Sequence, residues 1–174
     1  YSDVCRNYRL SGKYQEALSY AANAEKKGII TFPLMMEGAQ SLEALGKFSK
    51  AVKAYQIILR ADSTEQKALL FFARENNRNK KPKKAIDFSN KILVITPNSG
   101  LANLEKGKAL MQLEKYDEAE IVLNKSTGQL KNTTGPKKLI GDIHTIKQNF
   151  SEAGSYYDAA WKTNPKNFAL LLTL

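Results

Sequence analysis

Catalysis and metal binding begin with side chains that exchange a proton, attack an electrophile or donate a lone pair, and here that inventory is short. The 174 residues include one histidine, His144, and one cysteine, Cys5. A zinc centre needs about four such ligands, so no metal site is expected. His144 shares a register of 34 residues with Tyr8, Leu42, Asn76 and Leu110. That column is largely apolar, which argues for a packed ring rather than a general base. Cys5 falls in a column of small residues with Ala39, Ala73, Gly107 and Gly141 and reads as a small core side chain. A single thiol also excludes an internal disulfide. Glu16, Glu118 and Glu152 each stand just before a repeated alanine, where a helix N-terminus stabilises a carboxylate. No glycine-rich phosphate loop is present. Catalytic residues, cofactor and metal are all expected to be none.

Positive charge is the one abundant functional group. Lys and Arg number 27 against 17 Asp and Glu, for a net charge of +10. Cut at the repeat period, residues 66–99 carry +6, residues 1–31 and 134–167 carry +2 each, and the two remaining blocks are neutral. The concentration lies around Arg74, Arg78, Lys80, Lys81, Lys83 and Lys84. A cluster of this kind is either a solvated helix face or a docking surface for an acidic partner.

The elements that must position these groups follow from an internal repeat. Ala17, Ala51, Ala85, Ala119 and Ala153 are spaced 34 apart without insertion. Three residues before them an aromatic recurs at Tyr14, Phe48, Tyr116 and Phe150, interrupted by Pro82. With the small-residue column at Cys5, three series share one register. Within each period the apolar spacing is helical twice over. In the third, Leu69, Leu70, Phe72 and Ala73 mark one helix, and Ala85, Ile86, Ile92, Leu93 and Ile95 mark a second, closed by Pro97. No stretch alternates as a strand would. A small residue on each first helix should let the repeated alanine of the second approach closely, with the aromatic filling the end of the pair. Trp161 is expected to pack between repeats. Each hairpin leaves an apolar face for the next to cover.

The pattern resembles the tetratricopeptide repeat family in its period, its small residue on the first helix, its Tyr/Phe and Ala on the second, and its closing proline at Pro97 and Pro165. Departures stand at Asn103, Lys106, Lys131 and Lys137. The resemblance implies an all-α, right-handed superhelical solenoid of about five antiparallel helix hairpins. The expected units are 1–31 (truncated), 32–65, 66–99, 100–133 and 134–167, with a sixth beginning at 168–174 and a longer array beyond.

The resemblance also implies a non-catalytic scaffold for protein–protein interaction, with ligands held in a concave groove lined by the first helices. Two columns should face that groove: Arg6, Gln40, Arg74, Lys108 and Asp142, then Arg9, Glu43, Asn77, Met111 and Thr145. Arg78 and Gln112 lie beside them, and Met36, Leu70 and Leu104 would be apolar footholds. The expected partner-binding residues are Arg6, Arg9, Gln40, Arg74, Asn77, Arg78, Lys108 and Met111. The expected partner is a protein or an extended or helical peptide with acidic residues. Charge reversal at Arg74 and Lys108 should then abolish capture while leaving melting unchanged. The family's carboxylate clamp is not matched, because its slots hold Ser2, Arg6, Glu37, Lys67 and Phe71. Nucleic-acid or polyanion binding through the basic third repeat is the alternative, disfavoured by the lack of an aromatic ladder for base stacking. No run approaches the roughly 20 apolar residues of a membrane span. A soluble compartment is expected, cytoplasmic or periplasmic. Repeat style and Lys/Asn-rich composition suit a bacterial envelope or secretion-associated assembly.

Overall fold

The computed structural model describes residues 1–166. The beginning of a sixth repeat at 168–174 lies outside them. Ten helices are described: α1 (Ser2–Leu10), α2 (Tyr14–Lys26), α3 (Phe32–Ala44), α4 (Phe48–Ala61), α5 (Gln66–Arg78), α6 (Pro82–Ile95), α7 (Gly100–Gln112), α8 (Tyr116–Gln129), α9 (Gly135–Ile146) and α10 (Phe150–Thr163). There is no strand among the described residues. The even-numbered helices begin at 14, 48, 82, 116 and 150, so the 34-residue count of the sequence is the count of the hairpins.

The aromatic column is the first residue of each second helix. That placement explains Pro82, which also opens its helix. The first helical position has no intrahelical use for its N–H, and proline's fixed φ suits it. The residue two before it always takes a left-handed turn: Gly12 and Gly46 at φ 76° and 68°, but Lys80, Glu114 and Gln148 at 53°, 59° and 61°. A side chain in that conformation costs roughly 1–2 kcal/mol. Glu114→Gly is therefore expected to raise unfolding stability by about 0.5–1 kcal/mol, after allowing for the extra freedom of glycine in the unfolded chain. Urea unfolding followed by circular dichroism reads the change.

Backbone packing divides the chain into two units, residues 1–68 and 69–174, with α5 beginning in the first and running on in the second. In the first unit, α1 packs on α2 and α3, α2 on α3, and α3 on α4. Its core gathers Cys5, Ala17, Ala24 and Leu34, with Tyr8, Tyr20 and Ile29 packed against them. In the second, α6 to α10 pack each on the next, and α7 also meets α9. Its core joins Leu104, Leu110, Ala119, Leu123, Ile140 and Ile143.

The small-residue column makes the closest approaches, against a different neighbour from the one expected. A Cβ on Gly107 would stand 2.6 Å from Leu123, and one on Gly141 would stand 2.7 Å from the Tyr157 ring. Both contacts lie one turn beyond the repeated alanine, so in these hairpins the glycine admits a large side chain and not a second small one. The alanines are themselves buried.

Trp161 is half exposed, and the buried column of the second helix runs through Ala24, Ile58, Ile92, Ser126 and Ala160, one residue and about 100° earlier. Phe150 likewise lies two-thirds exposed and fills no gap. On α5, Phe71 is buried beside Leu69, a core residue the periodicity argument overlooked.

Candidate binding surface

The first helices carry the polar columns, and in each unit a buried glutamate organises them. In the first unit Glu37 of α3 is almost wholly buried. Arg6 Nε donates to its Oε1 at 3.0 Å and Arg9 Nε to its Oε2, so each carboxylate oxygen takes one guanidinium from α1. Burial alone would raise the Glu37 pKa, but the hydrogen bonds from Arg9 and Arg6 outweigh it and hold the carboxyl below its ordinary value. Arg6 and Arg9 are thus committed to joining α1 to α3. Gln40 lies half-buried on α3. Glu43, in the second column, accepts from the Tyr55 hydroxyl of α4 at 2.9 Å.

In the second unit the same part is taken by Glu105 of α7, in the Glu37 register two repeats later and equally buried. Lys108 Nζ lies 2.9 Å from its Oε1, and Arg74 Nε of α5 lies 3.9 Å from the same oxygen. Asn77 Nδ2 donates to the Glu105 backbone oxygen and to Oε2, both at 2.9 Å. Gln112 Nε2 donates to the Asn77 carbonyl at 3.0 Å. Arg78 pairs with Glu75 on its own helix at 2.6 Å.

These side chains border an open pocket of about 430 Å³ lined by Arg74, Asn77, Arg78, Glu105, Lys108 and Gln112. A neighbouring hollow of about 350 Å³ shares Asn77, Arg78 and Gln112 and adds Lys80 and Pro82. Asn77 is over nine-tenths buried, and its Oδ1 has no hydrogen-bond partner among the described residues. The pocket therefore gathers Arg74, Arg78 and Lys108 around the buried Glu105.

Of the predicted site residues, the structure brings Arg74, Asn77, Arg78 and Lys108 together around one pocket. Arg6 and Arg9 converge on Glu37 instead. Met111 packs against the core of the second unit. Met36 and Leu104 are buried and are core residues rather than footholds. Further along, Asp142 is closed off by Lys138 at 3.0 Å and by the Tyr157 hydroxyl at 2.8 Å. The sequence reading missed the two glutamates. Their common register, displaced by one helical turn from the Arg6 and Arg74 column, was the available signal.

His144 is packed, with its ring stacked on Tyr156 at 5.3 Å and Nε2 3.4 Å from Glu120 Oε1. Lys147 ties Glu120 and Asp117 to α9. Cys5 is buried, and its Sγ donates to the Ala17 carbonyl at 3.2 Å. Among the described residues no cluster of His, Cys, Asp and Glu could hold a metal ion, and no helix is long and apolar enough to cross a membrane.

Ten helices paired at a fixed period, with polar columns on the first of each pair, define a helical-repeat protein. The chain belongs to the tetratricopeptide repeat family: profiles of that repeat match residues 36–100 and 102–128. Proteins of this kind are generally non-catalytic scaffolds for protein–protein interaction. No curated protein sequence matches the chain. Among solved structures, it is similar to a MamA fragment from Desulfovibrio magneticus RS-1, at 15% identity and a TM-score of 0.79 over 94% of this chain and 93% of that one. A second MamA structure aligns at 17% identity and 0.77 over 96% and 98%. A thermophilic TPR protein of Thermus thermophilus, TTC0263, aligns at 17% and 0.71 over 99% and 97%. At these identities the likeness is one of fold.

Proposed function

We propose that this protein holds a polypeptide partner bearing acidic side chains, and that the α5–α7 pocket is its principal contact. The observation that carries the reading is the pocket itself: Arg74, Arg78, Lys80 and Lys108 border adjoining hollows whose lining includes one carboxylate, Glu105. Charge-assisted hydrogen bonds from these groups suit carboxylates. The cations border two adjoining hollows, so a chain bearing several carboxylates can engage both where a single small anion would engage one. No aromatic lines either hollow, which leaves a nucleic-acid base nothing to stack on. Arg6 and Arg9, bound to Glu37, act as structural ties under this reading.

Charge reversal at Arg74 and Lys108 is a poor test, because Glu105 would then face two further carboxylates and melting would not stay unchanged. Arg74→Gln with Lys108→Gln removes the charges while Asn77 still holds Glu105. We expect the pair to weaken binding of fluorescein-labelled hexaglutamate about tenfold in anisotropy titrations, with helicity retained. Undiminished binding would remove the proposal. Binding of a thymidine dodecamer that exceeds hexaglutamate at equal salt would replace it with a nucleic-acid role.

A further inference from the structure

A second concavity, unlike the first, lies in the first unit among α2, α3 and α4. It measures about 300 Å³, and its walls are almost entirely aliphatic, with Leu18, Leu34, Met35, Leu42 and Ile57 around a floor that includes Gly38 and Ala54. None of Arg6, Arg9, Glu37 and Gln40 lines it.

The repeat supplies its own explanation for this hollow. Gly38 shares its register with Val4, Phe72, Lys106 and Ile140, and Ala54 shares its register with Tyr20, Phe88, Val122 and Tyr156. In the next repeat those two positions are Phe72 and Phe88, whose rings stack at 5.2 Å. In the last repeat they are Ile140, fully buried, and Tyr156, which stacks on His144. Only the second repeat has two residues this small, and apart from Gly38's chain neighbours and the adjoining backbone of α3 no atom lies within 4 Å of where a Gly38 Cβ would stand. The hollow is therefore the space that a pair of rings occupies one repeat later.

We propose that this hollow is a socket for an aromatic side chain of a partner polypeptide. A ring fits by size, since an apolar cavity of about 150 Å³ suffices to take up benzene. It fits by chemistry as well, because the lining is aliphatic apart from Glu25. A polypeptide, and not a free small molecule, is indicated by the rim. Ile30 and Ile57 line the hollow yet remain 61% and 53% exposed, an apolar lip that a single ring leaves wet and the flanks of a helix cover. The socket is independent of the α5–α7 pocket and stands or falls apart from it.

Three probes test the assignment on the full chain: N-acetyl-phenylalaninamide, N-acetyl-leucinamide, and an alanine–glutamine helical peptide with one central phenylalanine. In ¹⁵N-labelled protein we expect the phenylalanine probes to shift the amides of Gly38, Ala39, Ala54 and Ile57 saturably. The peptide should bind more tightly than the capped amino acid, and its alanine-centred counterpart should not bind. Gly38→Leu, which fills the hollow from α3, should weaken the peptide about tenfold. Ala54→Leu fills it from α4 and serves if the first variant fails to fold. Leucinamide binding as tightly as phenylalaninamide would overturn the aromatic assignment. A peptide no tighter than the capped residue would overturn the polypeptide assignment. Full binding by a folded filled variant would remove the socket.

Discussion

Gly107→Leu is expected to destabilise the second unit by about 3 kcal/mol. The added Cβ alone would stand 2.6 Å from both Cγ and Cδ2 of Leu123. Leu123 has no room to retreat: it is fully buried, in one cluster with Leu104, Leu110, Ala119, Ile140 and Ile143. Replacing glycine inside a helix gains up to about 1 kcal/mol of propensity, and the clash exceeds that gain. In a chain of this length the loss corresponds to a melting temperature lower by roughly 6–12 °C. The origin of the effect can be isolated with Gly107→Ala and Leu123→Ala, separately and combined. If the contact is the cause, the double variant is more stable than the sum of the singles predicts. A Gly107→Leu protein as stable as the parent would mean that α7 and α8 do not meet at this point.

The second large effect concerns Glu37. Glu37→Gln should cost about 2–3 kcal/mol near neutral pH, below the usual loss for a broken buried pair because Arg6 is half exposed. The pH dependence has a definite sign. The folded state holds the Glu37 carboxyl below its ordinary pKa. Its contribution is therefore complete above the ordinary carboxylate range and is lost as pH falls through the depressed folded value. The glutamine variant lacks this contribution at every pH. The stability gap between the two proteins should be widest near neutrality and close in acid. Urea titrations of both proteins from pH 7 down to about 3 would show it, and a constant gap would mean that the carboxylate charge is not what joins α1 to α3.

The two buried glutamates also change what the cationic columns mean. In the sequence, Arg6, Arg9, Arg74, Arg78 and Lys108 all read as groove-facing cations. In the first unit the charge is absorbed internally, since both oxygens of Glu37 are taken by Arg6 and Arg9. In the second, Glu105 is shared among Lys108, Arg74 and Asn77, and the surplus of cations falls around one pocket. Under the proposed function, an acidic partner would therefore be met chiefly by α5 and α7.

The period, the helical character of every element and the family were all legible in the chain, because they depend on local spacing and backbone preference. Apolar patterns at helical spacing and a 34-residue count need no knowledge of what lies opposite. Side-chain pairing across helices was not legible in the same way. Whether Gly107 meets Ala119 or Leu123, whether Trp161 or Ala160 points inward, and whether Arg6 faces solvent or Glu37 each turn on rotations of about 100° and shifts of one helical turn. The hollow at Gly38 and Ala54 belongs to the same class: two small residues on successive helices become one space only when α3 and α4 are laid together. Local rules decide which helices form. The burial of particular groups against particular neighbours, with the charge and volume that this leaves over, is decided by packing.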